Sequence, residues 1–279
     1  FCTYHNYNVK AENKCRLALV VSSFEDIETK FQLLVDKKDV LDSNILNSKG
    51  IFFREGKAIS ADKVAVMFPG QASQYLNMFE NLSSEYDILR NLFDKADAHW
   101  YSKHNQTVTS LIFPAEETDE ATETLKATQN AHPAIFTSSY AMYVLLKNMG
   151  LSAKYMIGHS LGEITALTAA EKLSFNDGLD LVEKRGYAFV NANLGDAGKM
   201  ISLLSSLDRA NELVKESKLD VTVANINGPS QVIVAGSSDS IDKFKSFLDQ
   251  KEVKNKILYV SHAFHSKVVE PVADLFYDG

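Results

Sequence analysis

The sequence predicts an α/β protein whose larger part holds a parallel sheet and whose smaller part is an antiparallel α/β unit. Three observations carry this. Short apolar or β-branched runs alternate with longer helical patterns between residues 63 and 198. Two of those runs end directly in glycine-containing turns, at Pro69-Gly70 and at Gly158 to Gly162. Residues 199 to 261 then read strand, helix, strand, strand, helix, strand, which is the order of a ferredoxin-like unit.

Taken in order, residues 1 to 62 form a small α/β unit. Arg16 to Ser22 is a β-branched run, Phe24 to Lys37 repeats Phe31, Leu34 and Val35 at helical spacing, and Gly50 to Phe53 is a second strand before the turn Glu55-Gly56-Lys57. Phe1 to Asn13 has neither a basic start nor an apolar middle, so it reads as a linker rather than a signal peptide, and both chain ends read as cut from a longer polypeptide. Residues 63 to 198 make the large subdomain. It comprises strand Lys63 to Phe68, a helical pattern through Leu89, Leu92 and Phe93, helix Pro133 to Met149, strand Lys154 to Ile157, helix Leu161 to Ala170, and a further helix from near Ser174. The acidic stretch Glu116 to Glu123 reads as a solvated loop or helix start. In residues 199 to 261 the strands are Met200 to Ser205, Val221 to Ile226, Gln231 to Ala235 and Lys256 to Val260, with Asn227-Gly228-Pro229 as the central turn and helices at Asp208 to Ser217 and Ser240 to Gln250. Residues 262 to 279 return to the large subdomain.

Composition removes several function classes. A chain of 279 residues with 45% hydrophobic and 23% charged residues is ordinary for a globular protein, and its longest apolar runs are too short to span a bilayer. A net charge of −7 lacks the footprint of nucleic-acid binding. Cys2 and Cys15, both read as lying in irregular amino-terminal chain, make neither a disulfide framework nor a metal site, and fit a reducing cytoplasm. No Gly-x-Gly-x-x-Gly and no spaced metal-ligand set is present.

Chemistry concentrates at a few positions. Gly158-His159-Ser160-Leu161-Gly162 matches Gly-x-Ser-x-Gly between a strand and a helix, the turn that presents a strained serine at a positive helix end in α/β-hydrolase-like folds. The Leu161 backbone N–H is then placed to stabilise an oxyanion. A serine nucleophile needs a base, and of the 7 histidines His262 and His265 stand where the last strand of the small unit returns to the large one. His5, His99 and His104 read as exposed, His132 as a cap at the helix start beside Pro133, and His159 as a packed residue turned away from the serine. Gln71 sits at the carboxyl edge of the first large-domain strand, where it either donates an amide N–H to the oxyanion or ties down its loop. Arg185 stands over the apolar stripe of Leu181 and Val182, its anion being either a structural carboxylate or a substrate one.

Together, Phe-Pro-Gly-Gln at 68 to 71, Gly-His-Ser-Leu-Gly-Glu at 158 to 163, Arg185, Gly198-Lys199-Met200, Asn225-Ile226-Asn227-Gly228-Pro229 and His-Ala-Phe-His at 262 to 265 resemble, in order, the malonyl-CoA:acyl carrier protein transacylases and the acyltransferase domains of type I polyketide and polyunsaturated fatty acid synthases. The likeness covers Lys63 to about Pro271, and residues 1 to 62 look like a ketosynthase-to-acyltransferase linker. Gln-Tyr-Leu-Asn-Met at 74 to 78 leans towards the polyunsaturated fatty acid and enediyne synthases. The resemblance implies Ser160 as nucleophile, His265 as base, Gln71 and Leu161 as the oxyanion hole, and Arg185, His262 and Phe264 as substrate-binding residues, with no metal. It implies no bound cofactor, malonyl-CoA as donor, and the phosphopantetheine of an acyl carrier protein domain as acceptor, with a flanking ketosynthase in the same polypeptide. Phe264 corresponds to the pattern of malonyl-selective members, its ring filling the space of an α-methyl group. Two departures stand out: Ala72 where glycine is usual, and Lys267-Val268-Val269 after the histidine. In the family the chain also runs on past the histidine and supplies a carbonyl that orients the imidazole. The alternatives at this level are a serine thioesterase or hydrolase and a non-catalytic docking segment of a synthase.

Overall fold

In the computed structural model, residues 14–37 and 43–278 are described, and the chain divides into two units between Val64 and Ala65. Cys2 and His5 lie outside the described residues. In the first unit β1 (Cys15–Leu19) pairs antiparallel with β2 (Ile51–Glu55), Leu19 opposite Ile51. Between them lie α1 (Phe24–Lys37) and α2 (Ser43–Ser48). Glu25 and Asp26 occupy the first turn of α1, where carboxylates complement the helix dipole. Cys15 is an exposed residue opening β1, not part of an irregular stretch, because the pairing with Glu55 extends the ladder to it.

The second unit begins with β3 (Ala65–Phe68). Helices α3 (Glu80–Glu85), α4 (Asp87–His104), α5 (Val108–Ile112), α6 (Asp119–Lys126) and α7 (Thr128–Asn148) follow. Then come β4 (Tyr155–Gly158), α8 (Gly162–Ala169) and α9 (Phe175–Asn191). Strands β3 and β4 are parallel, Phe68 opposite Gly158, so both carboxyl ends open at one edge. Leu89, Phe93, Trp100, Ile112, Ile135, Phe136, Leu161, Leu179 and Val182 form the core beneath. Helix α7 begins five residues before the predicted Pro133: the proline sits in its second turn, where the lost N–H is outweighed by burial of nearly every side chain around it.

Residues from 199 onward give β5 (Lys199–Leu203), α10 (Leu207–Ser217), β6 (Val221–Gly228), β7 (Gln231–Gly236), α11 (Ser238–Gln250) and β8 (Asn255–Leu258). The sheet order is β6-β7-β5-β8 and every neighbouring pair is antiparallel, which is the pairing of a ferredoxin-like unit. The predicted turn shifts, since Asn227 and Gly228 lie within β6 and Pro229-Ser230 alone form the reversal. Alternation fixes the two faces. Ile201, Leu203, Val232 and Val234 meet Leu213, Phe244 and Leu248 of the helices, whereas Met200, Ile233 and Ala235 meet Phe189 of α9 together with Ala263 and Phe264. That second face seats the small sheet against α9 and delivers the returning segment, which ends in α12 (Glu270–Asp278), to the carboxyl edge of β3 and β4. No helix among the described residues is long and apolar enough to cross a membrane.

Candidate active site

The connection from β4 to α8 is three residues long. A Cβ on Gly158 would lie 2.1 Å from Glu163 N and one on Gly162 would lie 2.2 Å from the Phe68 carbonyl oxygen, so both positions accept only glycine. Ser160 between them is held at φ +53, a strained conformation for an L-residue that the flanking elements impose. Ser160 Oγ lies 2.9 Å from His265 Nε2 and 3.1 Å from Arg185 Nη2. Beside it, the backbone N–H groups of Leu161 and Gln71 make no hydrogen bond to another described residue.

The His265 imidazole is held below its ordinary pKa, first by burial, then by the positive charge of Arg185 and by His159, with Glu163 opposing. Neutral at neutral pH, it is suited to accept the serine proton.

Arg185 projects from α9 over the Phe189 ring, 5.7 Å from its centroid. Its Nη1 lies 3.1 Å from His132 Nε2. Among the described residues no carboxylate stands within ion-pair distance of it, and its pKa is lowered by burial against the opposing charge of Glu163. Of the two anions left open by the sequence, no structural carboxylate pairs directly with it among the described residues, and Glu163 acts on it only through its charge.

The sequence reading misplaced four histidines. His132 is a fully buried residue inside α7, not a cap, bridging Arg185 and Gln71; burial, then the Arg185 charge, pushes its pKa down to about 3. His159 does not pack away from the cleft; its Nε2 lies 3.2 Å from Asn227 Oδ1 at the cleft wall. His99 and His104 are not free in solvent, because Asp180 and Glu183 of α9 bind them across to α4. The signal available for His132 was its place on an apolar helix, where a polar side chain must find partners.

Gln71 Oε1 and Nε2 lie 3.2 Å from His132 Nε2 and 3.3 Å from Thr128 Oγ1. Thr128 Oγ1 stands 2.7 Å from Ser261 Oγ, which stands 3.0 Å from His262 Nδ1. Neither Thr128 nor Ser261 was singled out in the sequence. Phe264 is buried edge-on against Phe189, with ring centroids 4.9 Å apart, and His262 lies against the same ring at 5.2 Å. Ser160, His265, Arg185, Gln71, Met200 and Phe264 thus share the wall of a cleft of about 160 Å³ between the large part and the small sheet. A second cavity of about 200 Å³ opens behind Arg185 and Phe264 towards Val272 and Phe276. No group of three or more His, Cys, Asp or Glu side chains among the described residues is arranged to hold a metal ion.

This geometry has known counterparts. The chain is 34% identical over 217 residues to the malonyl CoA-acyl carrier protein transacylase of Bacillus subtilis, covering 76% of this chain and 66% of that one. It superimposes with a TM-score of 0.77 on the acyltransferase domain from the second module of the salinomycin polyketide synthase, at 26% identity, over 96% of this chain and 59% of that chain. With the MCAT structure from Streptococcus pneumoniae the TM-score is 0.68 at 31% identity, over 77% of this chain and 69% of that one. The chain therefore spans less than two thirds of the Bacillus enzyme and of the salinomycin domain. The sequence model described as the acyl transferase domain matches residues 66–278, a span that holds every side chain of the cleft, and the chain belongs to that family.

Proposed function

We propose that the chain transfers a malonyl group from malonyl-CoA to the phosphopantetheine thiol of an acyl carrier protein through an ester on Ser160. The observation that carries this reading is the Arg185 guanidinium beside the serine: a planar fork without a carboxylate partner among the described residues matches the free carboxylate of a malonyl group. In this mechanism the Ser160 oxygen attacks the thioester carbonyl while His265 Nε2 takes its proton, and the tetrahedral oxyanion is held by the N–H groups of Leu161 and Gln71. The intermediate collapses with loss of the CoA thiolate, which receives the proton from His265. A carrier thiol then enters the same position, gives its proton to His265, and attacks the ester, and Ser160 is restored by proton return. Phe264 closes the wall against a substituent on the malonyl α-carbon, and His262 orders that wall by packing against both Phe189 and Phe264.

Two features support placing this domain in a multidomain synthase, which we read as cytoplasmic. Relatives of the chain include synthase segments such as part of polyketide synthase GfsA of Streptomyces halstedii, 31% identical over 224 residues. The separate unit ending at Val64 fits a linker from a preceding ketosynthase. Within the remainder, we read residues 63 to 198 and 262 to 279 as the large acyltransferase subdomain and 199 to 261 as the small one.

The test is intact-mass analysis after brief exposure to malonyl-CoA, followed by addition of holo acyl carrier protein. A malonyl adduct that is absent in Ser160→Ala and moves to the carrier is the expected result. Release of free malonate faster than transfer would make the protein a thioesterase, and no adduct at all would leave it a docking segment.

A further inference from the structure

His132 is in contact with two groups through one atom. Its Nε2 faces Arg185 Nη1 at 3.1 Å and Gln71 Oε1 at 3.2 Å. An imidazole nitrogen is either a donor or an acceptor, so it cannot satisfy a guanidinium and a carbonyl oxygen together. Arg185 decides between them, because a guanidinium has only donors and no acceptor. Nε2 must therefore carry the lone pair, and the proton sits on Nδ1. That nitrogen is buried and has no hydrogen-bond partner among the described residues.

This assignment propagates. With Nε2 as acceptor, the Gln71 carboxamide exchanges the places of its two terminal atoms, turning its NH2 towards His132 and its oxygen towards Thr128. Thr128 then donates to Gln71, Ser261 to Thr128, and His262 Nδ1–H to Ser261. Every donor in the chain from His262, and the guanidinium from the other side, points towards His132 Nε2.

We propose that His132 is a positioning residue: a permanently neutral Nδ1–H imidazole whose single lone pair aims Arg185 into the cleft and fixes the carboxamide of Gln71. The inference rests on the reading of Arg185 as the carboxylate-binding group. A neutral acceptor is what such a site requires, since a carboxylate at this position would compete with the substrate for the guanidinium and a protonated imidazole would repel it.

Two measurements on the full-length protein decide this. The first is nitrogen-detected NMR of 15N-histidine-labelled protein, assigned with His132→Gln. The His132 signals should show a protonated Nδ1 and an unprotonated Nε2 from neutral pH down to about pH 5; a proton on Nε2, or a doubly protonated ring, would overturn the assignment. The second compares loading of Ser160 by malonyl-CoA and acetyl-CoA. His132→Leu should lower the malonyl-to-acetyl ratio of kcat/KM by about 10-fold or more, mainly through KM for malonyl-CoA. His132→Gln, which puts an acceptor oxygen near the place of Nε2, should restore most of that ratio. A ratio unchanged in His132→Leu, or equally reduced in both variants, would show that the residue only fills space. Because the NMR result needs no substrate, a wild-type protein without malonyl preference would count against the proposed function alone, and the protonation state would still decide for or against His132.

Discussion

Ser160 Oγ accepts a hydrogen bond from Arg185 Nη2 at 3.1 Å while facing His265 Nε2 at 2.9 Å, so the serine oxygen is shared between a cation and a base. The guanidinium withdraws electron density from the oxygen that attacks in the proposed mechanism. An incoming carboxylate offers that guanidinium a stronger, bidentate partner and so releases the serine lone pair. Under the proposed function, binding the acyl carboxylate and freeing the nucleophile would then be one event.

Arg185→Ala separates the two consequences. Malonyl loading should fall by roughly 2 kcal/mol, or about 30-fold in kcat/KM, the size of a hydrogen bond to a charged group. Acetyl loading should fall much less, because acetyl has no carboxylate to lose. Rapid-quench intact-mass analysis reads both rates, and equal losses would mean that Arg185 supports the cleft wall and does not bind substrate.

The pH dependence follows from His265. Its folded pKa is below the ordinary histidine value, so the free enzyme keeps a neutral base on the acid side, and the acid limb of kcat/KM should fall with a midpoint below pH 6.5. Burial is the largest cause and the Arg185 charge the second. Arg185→Gln should therefore move the limb upward, towards but not as far as the ordinary value. A limb that stays in place would remove Arg185 from the electrostatics of the base.

The elements that seat the site were legible because they obey local rules. Gly158 and Gly162 mark a turn in which no Cβ fits, and the alternation of Met200 and Ile233 against Ile201 and Val232 sets the two faces of the small sheet. His132 was not legible as part of the site. Pro133 signals a helix start when the chain is read locally, and only tertiary burial of α7 carries the helix back to Thr128 and brings His132 under Arg185. Thr128 and Ser261 were missed for a related reason: they are 133 residues apart and neither forms a local motif.

Phe264 offers a test of size selection. Its ring is 7% exposed and stands between the serine cleft and the cavity of about 200 Å³ behind it. Phe264→Ser should join the two spaces and raise the methylmalonyl-to-malonyl ratio of kcat/KM by roughly 10-fold, the usual worth of a methylene-sized difference in an apolar pocket. The same change removes a buried aromatic packed on Phe189 and should cost about 3 kcal/mol of stability, visible in chemical denaturation. A stable variant with an unchanged ratio would place the α-substituent elsewhere.

Ala72 lies at φ +80, next to Gln71 in the loop after β3. An L-residue in this region is disfavoured by roughly 1–2 kcal/mol relative to glycine. Glycine, however, makes the unfolded chain more flexible, which offsets about 0.4–1 kcal/mol of that gain. The Ala72 methyl is exposed, so its removal leaves no cavity, and the bond from Ala72 N to Gln74 Oε1 at 2.8 Å belongs to the backbone and survives the change. The positive φ thus outweighs the unfolded-state term, and Ala72→Gly should stabilise the protein by about 0.5–1 kcal/mol, raising the thermal midpoint by roughly 1–4 °C. If the midpoint falls instead, the alanine is restricting the loop that carries Gln71, and the malonyl loading rate of the variant should then fall with it.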